Sequence, residues 1–188
     1  MATYFISDTH FGNDRIMRKS RPEFQTTAEM DNAMIQNWIK AVADSDDVFI
    51  LGDLFDQFTK NPVEILERLP GRKHLLLGNH DLEWLDCLTK IEKNYYFVEI
   101  SSFHQMILGE YTLTLCHYPM LEWYASRKDP RSLMLHGHIH ARKDITSHEI
   151  IRKHLSNILN CAPEINNYHP TTLEGVIRNN AVWYNRYE

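Results

Sequence analysis

Val48-Phe49-Ile50-Leu51-Gly52-Asp53-Leu54-Phe55-Asp56 joins a short apolar run to a glycine and two carboxylates. Such a run, stopped by glycine, reads as a buried strand that delivers the chain to a polar loop. The same figure recurs on either side. Tyr4 to Ser7 runs into Asp8-Thr9-His10-Phe11-Gly12-Asn13, and Lys73 to Leu77 runs into Gly78-Asn79-His80-Asp81. Helical segments separate the three. Thr26 and Glu29 form a capping-box pair ahead of Met30, Met34, Trp38, Ala41 and Val42, whose spacing predicts a helix to about residue 43. Pro62 opens another, with Ile65, Leu66 and Leu69 on its buried side and Pro70-Gly71 closing it. Strand, polar loop and helix in alternation predict an open α/β sheet, which places ligands beyond the carboxyl ends of its strands.

The second half changes character. Residues 81 to 93 are expected as one helix carrying Leu82, Leu85 and Leu88. Phe103 to Leu108 and Tyr111 to Cys116 flank Gly109-Glu110, a hairpin signal, and the second strand arrives at His117. Ser132 to Leu135 precedes His136-Gly137-His138-Ile139-His140. Residues 144 to 153 read as a short helix or an irregular insertion, His154 to Leu159 as a strand, and Ala181 to Tyr187 as a final strand or a packed arm. With no repeat, low-complexity run or linker, residues 1–188 are expected to form a single domain. A chain of that length buries roughly 70% of its unfolded surface.

A hydrophobic content of 43% with 24% charged residues excludes a disordered chain. Lys plus Arg number 20 against 25 Asp plus Glu, a formal charge of -5, so extended nucleic-acid binding is disfavoured. Cys87, Cys116 and Cys161 are widely spaced and form no C-x-x-C pair, so they are read as buried thiols in a reducing compartment. Met1-Ala2-Thr3-Tyr4-Phe5-Ile6 leads straight into a strand, with no basic leader and no run long enough to cross a bilayer. The expectation is a cytoplasmic protein without membrane attachment.

The 11 histidines call for a chemical reading, since imidazole titrates and binds metals near neutral pH. Asp8-x-His10, Gly52-Asp53, Gly78-Asn79-His80-Asp81, His117 and Gly137-His138-x-His140 all follow expected strands. Strand ends in one sheet lie side by side, so these distant segments would meet. Oxygen and nitrogen donors without paired cysteines favour Mn, Fe, Zn, Ni or Co over a thiolate site.

In order and spacing these blocks resemble the calcineurin-like metallophosphoesterase superfamily, with its D-x-H, G-D-x-x-D, G-N-H-D/E, H and G-H-x-H motifs, from residue 8 to residue 140. The resemblance is to its small, single-domain bacterial and phage-type members. It implies an α/β fold, a four-layer α/β/β/α sandwich with two central mixed sheets. It implies two divalent or mixed-valence transition metal ions, with Mn the first choice in vitro. Asp8, His10, Asp53 and His140 would surround one ion, and Asp53, Asn79, His117 and His138 the other, with Asp53 as the bridge. Two cations about 3.5–4 Å apart hold a hydroxide for in-line attack and neutralise charge developing on phosphorus. His80 is then the general acid that protonates the leaving oxygen, and Asp81 the carboxylate that fixes its ring. Asp56 ends G-D-x-x-D and is read as support rather than as a ligand.

The implied activity is hydrolysis of a small phosphate monoester or diester, nucleotide-like among the options. The alternatives are an oligonucleotide nuclease and a non-catalytic, metal-stabilised scaffold; a plain zinc protein is disfavoured because the donors exceed one tetrahedral site. His74, His104, His136, His148, His154 and His169 are read as hydrogen-bonded surface or core. Cys116 adjoins His117, but strand alternation turns it away. Arg15, Arg18, Arg21, Arg127, Lys128, Arg142 and Lys143 lie near the motifs, where arginine can clamp phosphate. Phe11 to Phe24 and Trp123 to Arg131 are candidate walls of the site. Tyr118, Trp123 and Tyr124 are candidates for stacking on a base or aryl group, and Trp183, Tyr184 and Tyr187 for sealing a homodimer.

Overall fold

The computed structural model describes residues 1–185. β1 (Thr3–Ile6), β2 (Asp47–Ile50) and β3 (Arg72–Leu76) pair in parallel, with Ile6 beside Ile50 and Ile50 beside Leu75. α1 (Asp14–Ser20) and α2 (Thr27–Ala41) connect the first two strands, and α3 (Pro62–Arg68) the next. After α4 (Asp81–Leu85) and α5 (Lys90–Tyr96), β4 (Phe97–Ser101) adds a fourth parallel strand beside β3. The chain then builds a second sheet. β5 (His104–Leu108) and β6 (Tyr111–Leu115) form an antiparallel hairpin. β7 (Ser132–His136) and, after α6 (Thr146–His154), β8 (Ile158–Asn160) extend it in parallel, in the order β5-β6-β7-β8. β9 (Thr171–Thr172) returns to the first sheet antiparallel to β1, giving β4-β3-β2-β1-β9, and α7 (Leu173–Trp183) follows.

Strand alternation assigns each face. Phe5, Phe49, Leu51 and Leu76 of the first sheet meet Leu113, Leu115, Leu133, Leu135 and Leu159 of the second in one inner core. Ile6, Val48, Ile50 and Leu75 turn outward onto Met30, Met34 and Trp38 of α2 and Leu66 of α3. On the far side, Met134 and Ile158 pack beneath Ile151 of α6 and Tyr184. Two mixed sheets face each other between helical layers, with seven helices among the described residues. This is the expected α/β/β/α sandwich.

Four local expectations are corrected. The helix expected over 81 to 93 is broken: α4 stops at Leu85, and Thr89 starts α5 with a complete capping box to Glu92. That second N-cap signal outcompetes continuation, and Leu82 is left 64% exposed while Leu85 and Leu88 are buried. The strand expected over His154 to Leu159 shortens to β8, because α6 runs on to His154. Ala181 to Trp183 close α7 instead of forming a strand or arm, and Tyr184 is 1% exposed, a core residue that cannot seal a dimer. Tyr187 lies outside the described residues. Cys116 and Cys161 are buried, but Cys87 is exposed. No described helix is long and apolar enough to cross a membrane.

Candidate metal centre

Parallel register carries the polar clusters to one edge. Beyond the strands, Asp8 N donates to Gly52 O at 2.8 Å and His10 N to Asp53 O at 3.0 Å. In the second sheet Gly137 N donates to His117 O at 2.9 Å. The chain turns sharply there: Asp8, His10, Asp53, His138 and His140 all have φ between 46° and 68°. Left-handed backbone costs a residue other than glycine about 1–3 kcal/mol, so it persists only where the surroundings enforce it. Gly52, at φ +83°, has no room for a side chain, since a Cβ would collide with His117 Nδ1 and lie 2.7 Å from Gly78 N.

These turns aim the donors at one another. Asp53 Oδ2 lies 3.6 Å from His10 Nε2 and 3.5 Å from His117 Nε2. Asp8 Oδ1 lies 3.8 Å from His140 Nε2. Asn79 Oδ1 is 3.1 Å from His117 Nε2 and 2.9 Å from His138 Nδ1. The structure therefore gathers Asp8, His10, Asp53, Asn79, His117, His138 and His140 into one cluster. Within it, Asp8, His10 and His140 form one triad whose donor atoms lie within 4.8 Å of one another, and Asp8, Asp53 and His117 form a second. Asp8 is common to both triads, while Asp53 stands between His10 and His117.

The cluster fits a cation. Neither ring nitrogen of His10 has a hydrogen-bond partner among the described residues, although the residue is only 1% exposed. Leaving a buried polar group unsatisfied costs about 1–3 kcal/mol. His117 Nδ1 bonds Leu51 O at 2.8 Å, which assigns it the ring proton and turns the Nε2 lone pair inward. Burial, then the neighbouring Asp8 charge, raises Asp53 to about 6. Burial and then His140 push His10 well below the usual imidazole value, and burial followed by His117 lowers His138. Burial opposes a charged His140 too, but Asp8 and Glu164 outweigh it and its pKa rises. By itself the cluster sets carboxylate against carboxylate and imidazole against imidazole, a conflict that a bound cation relieves.

His80 caps the start of α4 at the partly exposed mouth, its N–H donating to Asp53 Oδ1 at 2.9 Å and its ring edge-on to His10 at 5.4 Å. Asp81 does not hold that ring. Its Oδ2 accepts from Gly78 N at 2.7 Å and Asp53 N at 2.8 Å, and its Oδ1 from Trp84 Nε1 at 2.8 Å and Leu54 N at 3.1 Å. The ring-orienting reading is corrected: Asp81 ties the Asp53 loop to the Gly78 loop. Asp56 accepts from Asn13 Nδ2 and lies 3.9 Å from His10 Nδ1, a supporting position. His136 is fully buried and burial holds its imidazole down at about 4, with Nδ1 on Gly137 O.

The candidate walls differ from expectation. Phe11 and Met17 face the core, and Arg21 is 0% exposed. Its guanidinium donates to Thr9 O at 2.7 Å, to Asp8 O and to Glu164 Oε1 at 2.9 Å, so it is no phosphate clamp. Within Trp123 to Arg131, Trp123 and residues 126–130 line a separate cavity of about 680 Å³ that none of the seven clustered residues lines. Trp123 is bound to Ser132, and Tyr124 is exposed. Tyr118 does flank the mouth, its ring 4.7 Å from His138 and 5.0 Å from His117. Sequence reasoning missed Glu164 and Asn160, whose Nδ2 donates to His140 O at 2.9 Å. Neither sits in a local motif, so only the fold reveals them.

A sequence model described as calcineurin-like phosphoesterase matches residues 1–169. An uncharacterized protein of Methanocaldococcus jannaschii is 28% identical over 181 residues, covering 93% of this chain and 89% of its own. The gene 66 protein of Mycobacterium phage L5 is 28% identical over 168 residues, covering 78% and 81% respectively. Among solved structures, a protein of unknown function from Aquifex aeolicus superposes with TM-score 0.68 at 27% identity, covering 94% of this chain and 97% of that one.

Proposed function

Since the chain belongs to the calcineurin-like phosphoesterase family, we propose that it hydrolyses a small phosphate monoester or diester at a two-ion centre built within one domain, residues 1–188. The observation that carries this reading is the convergence of five left-handed residues, Asp8, His10, Asp53, His138 and His140, with His117 and Asn79. Asp8, His10, Asp53 and His140 would hold one ion, and Asp53, Asn79, His117 and His138 the other. When bound, such ions supply Lewis-acid polarisation of phosphoryl oxygens and activation of water, and the donor set admits Mn, Fe, Zn, Ni or Co. His80 donates a proton to the departing oxygen; its partly exposed position at the mouth suits a group that must reach substrate. Asp81 fixes the Asp53 backbone on which His80 rests.

A small ester is favoured over an oligonucleotide. The formal charge of -5 disfavours a long phosphate backbone, and Arg142, which follows His140, is paired with Asp144. The test is metal-reconstituted turnover on an aryl monoester, an aryl diester, cyclic nucleotides and a short oligonucleotide, with His80→Ala alongside. Activity that needs the metal and collapses in the variant is expected; turnover surviving verified metal removal would reject the reading.

A further inference from the structure

We propose that Glu164 is a positioning residue for His140, and that buried Arg21 holds Glu164 in place while also gripping the Asp8 loop. The inference rests on the metal-centre reading above and extends it to residues outside the family motifs. If His140 presents the Nε2 lone pair to an ion, its ring proton must sit on Nδ1 and needs an acceptor. His140 Nδ1 is buried without a hydrogen-bond partner, and Glu164 Oε1 is the carboxylate oxygen facing it, at 3.6 Å. Oε2 of the same carboxylate is also buried and unpartnered. A shift of a few tenths of an ångström closes the gap. His117, another buried imidazole of the cluster, already has such a rear acceptor in Leu51 O, and Asp56 Oδ2 stands 3.9 Å behind His10 Nδ1.

Arg21 explains why a carboxylate stands there. Its Nε donates to Glu164 Oε1, Nη1 to Thr9 O and Nη2 to Asp8 O, with the guanidinium completely buried. One cation therefore ties Asp8, from the first sheet, to the group behind His140, from the second. A buried ion pair gives little stability over an apolar pair of equal volume, because desolvation offsets its attraction. Geometry at the metal triad of Asp8, His10 and His140 gives the pair a purpose that stability does not.

The experiment is calorimetric titration of Mn²⁺ into metal-free wild type, Glu164→Gln and Glu164→Ala, with thermal unfolding of each metal-free protein. Glu164→Gln keeps nearly the same volume and an oxygen for Arg21 but replaces the carboxylate behind His140 with a neutral, weaker acceptor, so it decides the matter if Glu164→Ala does not fold. The expected result is an affinity about 10–100-fold weaker at one of two Mn²⁺ sites, the other within about twofold, and turnover recovered by excess Mn²⁺. Wild-type affinity at both sites in folded Glu164→Gln would overturn the proposal, as would lowered thermal stability with affinity unchanged. A wild type that binds no Mn²⁺ overturns the metal-centre reading and this proposal together. Two ions bound without turnover on any ester would retire the phosphoesterase reading and leave this proposal to be judged on affinity.

Discussion

Asp53 faces an imidazole on each side, from two different sheets, and its own backbone is held left-handed at φ 55°. Its two oxygens divide the labour, Oδ1 receiving the His80 N–H while Oδ2 faces His10 and His117. Asp53→Asn keeps the shape and removes the charge, so both metal positions should weaken and turnover should fall by more than about 100-fold. His80→Ala, by contrast, leaves every proposed donor in place. It should lower kcat by about 10²–10⁴ with metal content nearly unchanged. Elemental analysis of both purified variants beside their kcat checks this division of roles; equal metal loss would contradict it. The seven donors were legible because each sits within a few residues of an apolar run, and a short motif survives any error in element boundaries. Glu164 was not, and Arg21 was legible only as a candidate phosphate clamp, because the two meet across 143 positions of sequence with no local pattern to pair them.

Two elements are set by single carboxylates outside the donor cluster. Asp81 at the head of α4 accepts four hydrogen bonds from two strand-end loops and Trp84. Asp81→Asn turns an amide NH₂ toward buried N–H donors and should cost about 2–4 kcal/mol in urea unfolding, with weaker Mn²⁺ binding as well. A kcat effect alone, with stability and metal intact, would restore the ring-orienting role instead. Asp31 on α2 accepts from Gly12 N at 3.0 Å, and burial pushes it up to about 6 from 3.8. A folded value above the unfolded one means that the folded state binds the proton more tightly, so stability declines as pH rises from about 4 and the full cost stands above about 6. Asp31→Asn, still able to accept from Gly12, should gain about 1–2 kcal/mol over wild type at pH 8 after allowing for solvent screening, and about half that at pH 5. Urea unfolding of both metal-free proteins at the two pH values reads it. The elements themselves were legible where glycine or proline punctuates them. β4 was not, since α5 passes from Tyr96 directly into Phe97 without a turn residue, and as an edge strand it leaves Val98 exposed.

At the scale of the molecule, the two sheets share an apolar core along their length but meet at their carboxyl ends through polar groups, with Ser7 N donating to Cys161 O at 3.1 Å and His138 N to Asp8 Oδ1 at 2.9 Å. Each candidate triad draws on both sheets: Asp8 and His10 with His140, and Asp8 and Asp53 with His117. A bound ion would therefore fasten one sheet to the other where the hydrophobic layer of Phe49, Leu51, Leu115 and Leu135 ends. Without ions, the burial and mutual repulsion that raise Asp53 and lower His10 act against that junction. An ion that binds only the folded chain stabilises it by about 2.7 kcal/mol at a hundredfold its Kd. In a chain of this size that raises Tm by about 5–10 °C for each site filled. Mn²⁺ added to chelator-treated protein should thus shift thermal unfolding upward in proportion to the logarithm of its concentration. Amide hydrogen exchange should slow together in the loops around Asp8, Asp53, His117 and His138, while α5, which buries none of its residues, exchanges as before. A Tm indifferent to Mn²⁺, or protection confined to one sheet, would show that no ion bridges the two.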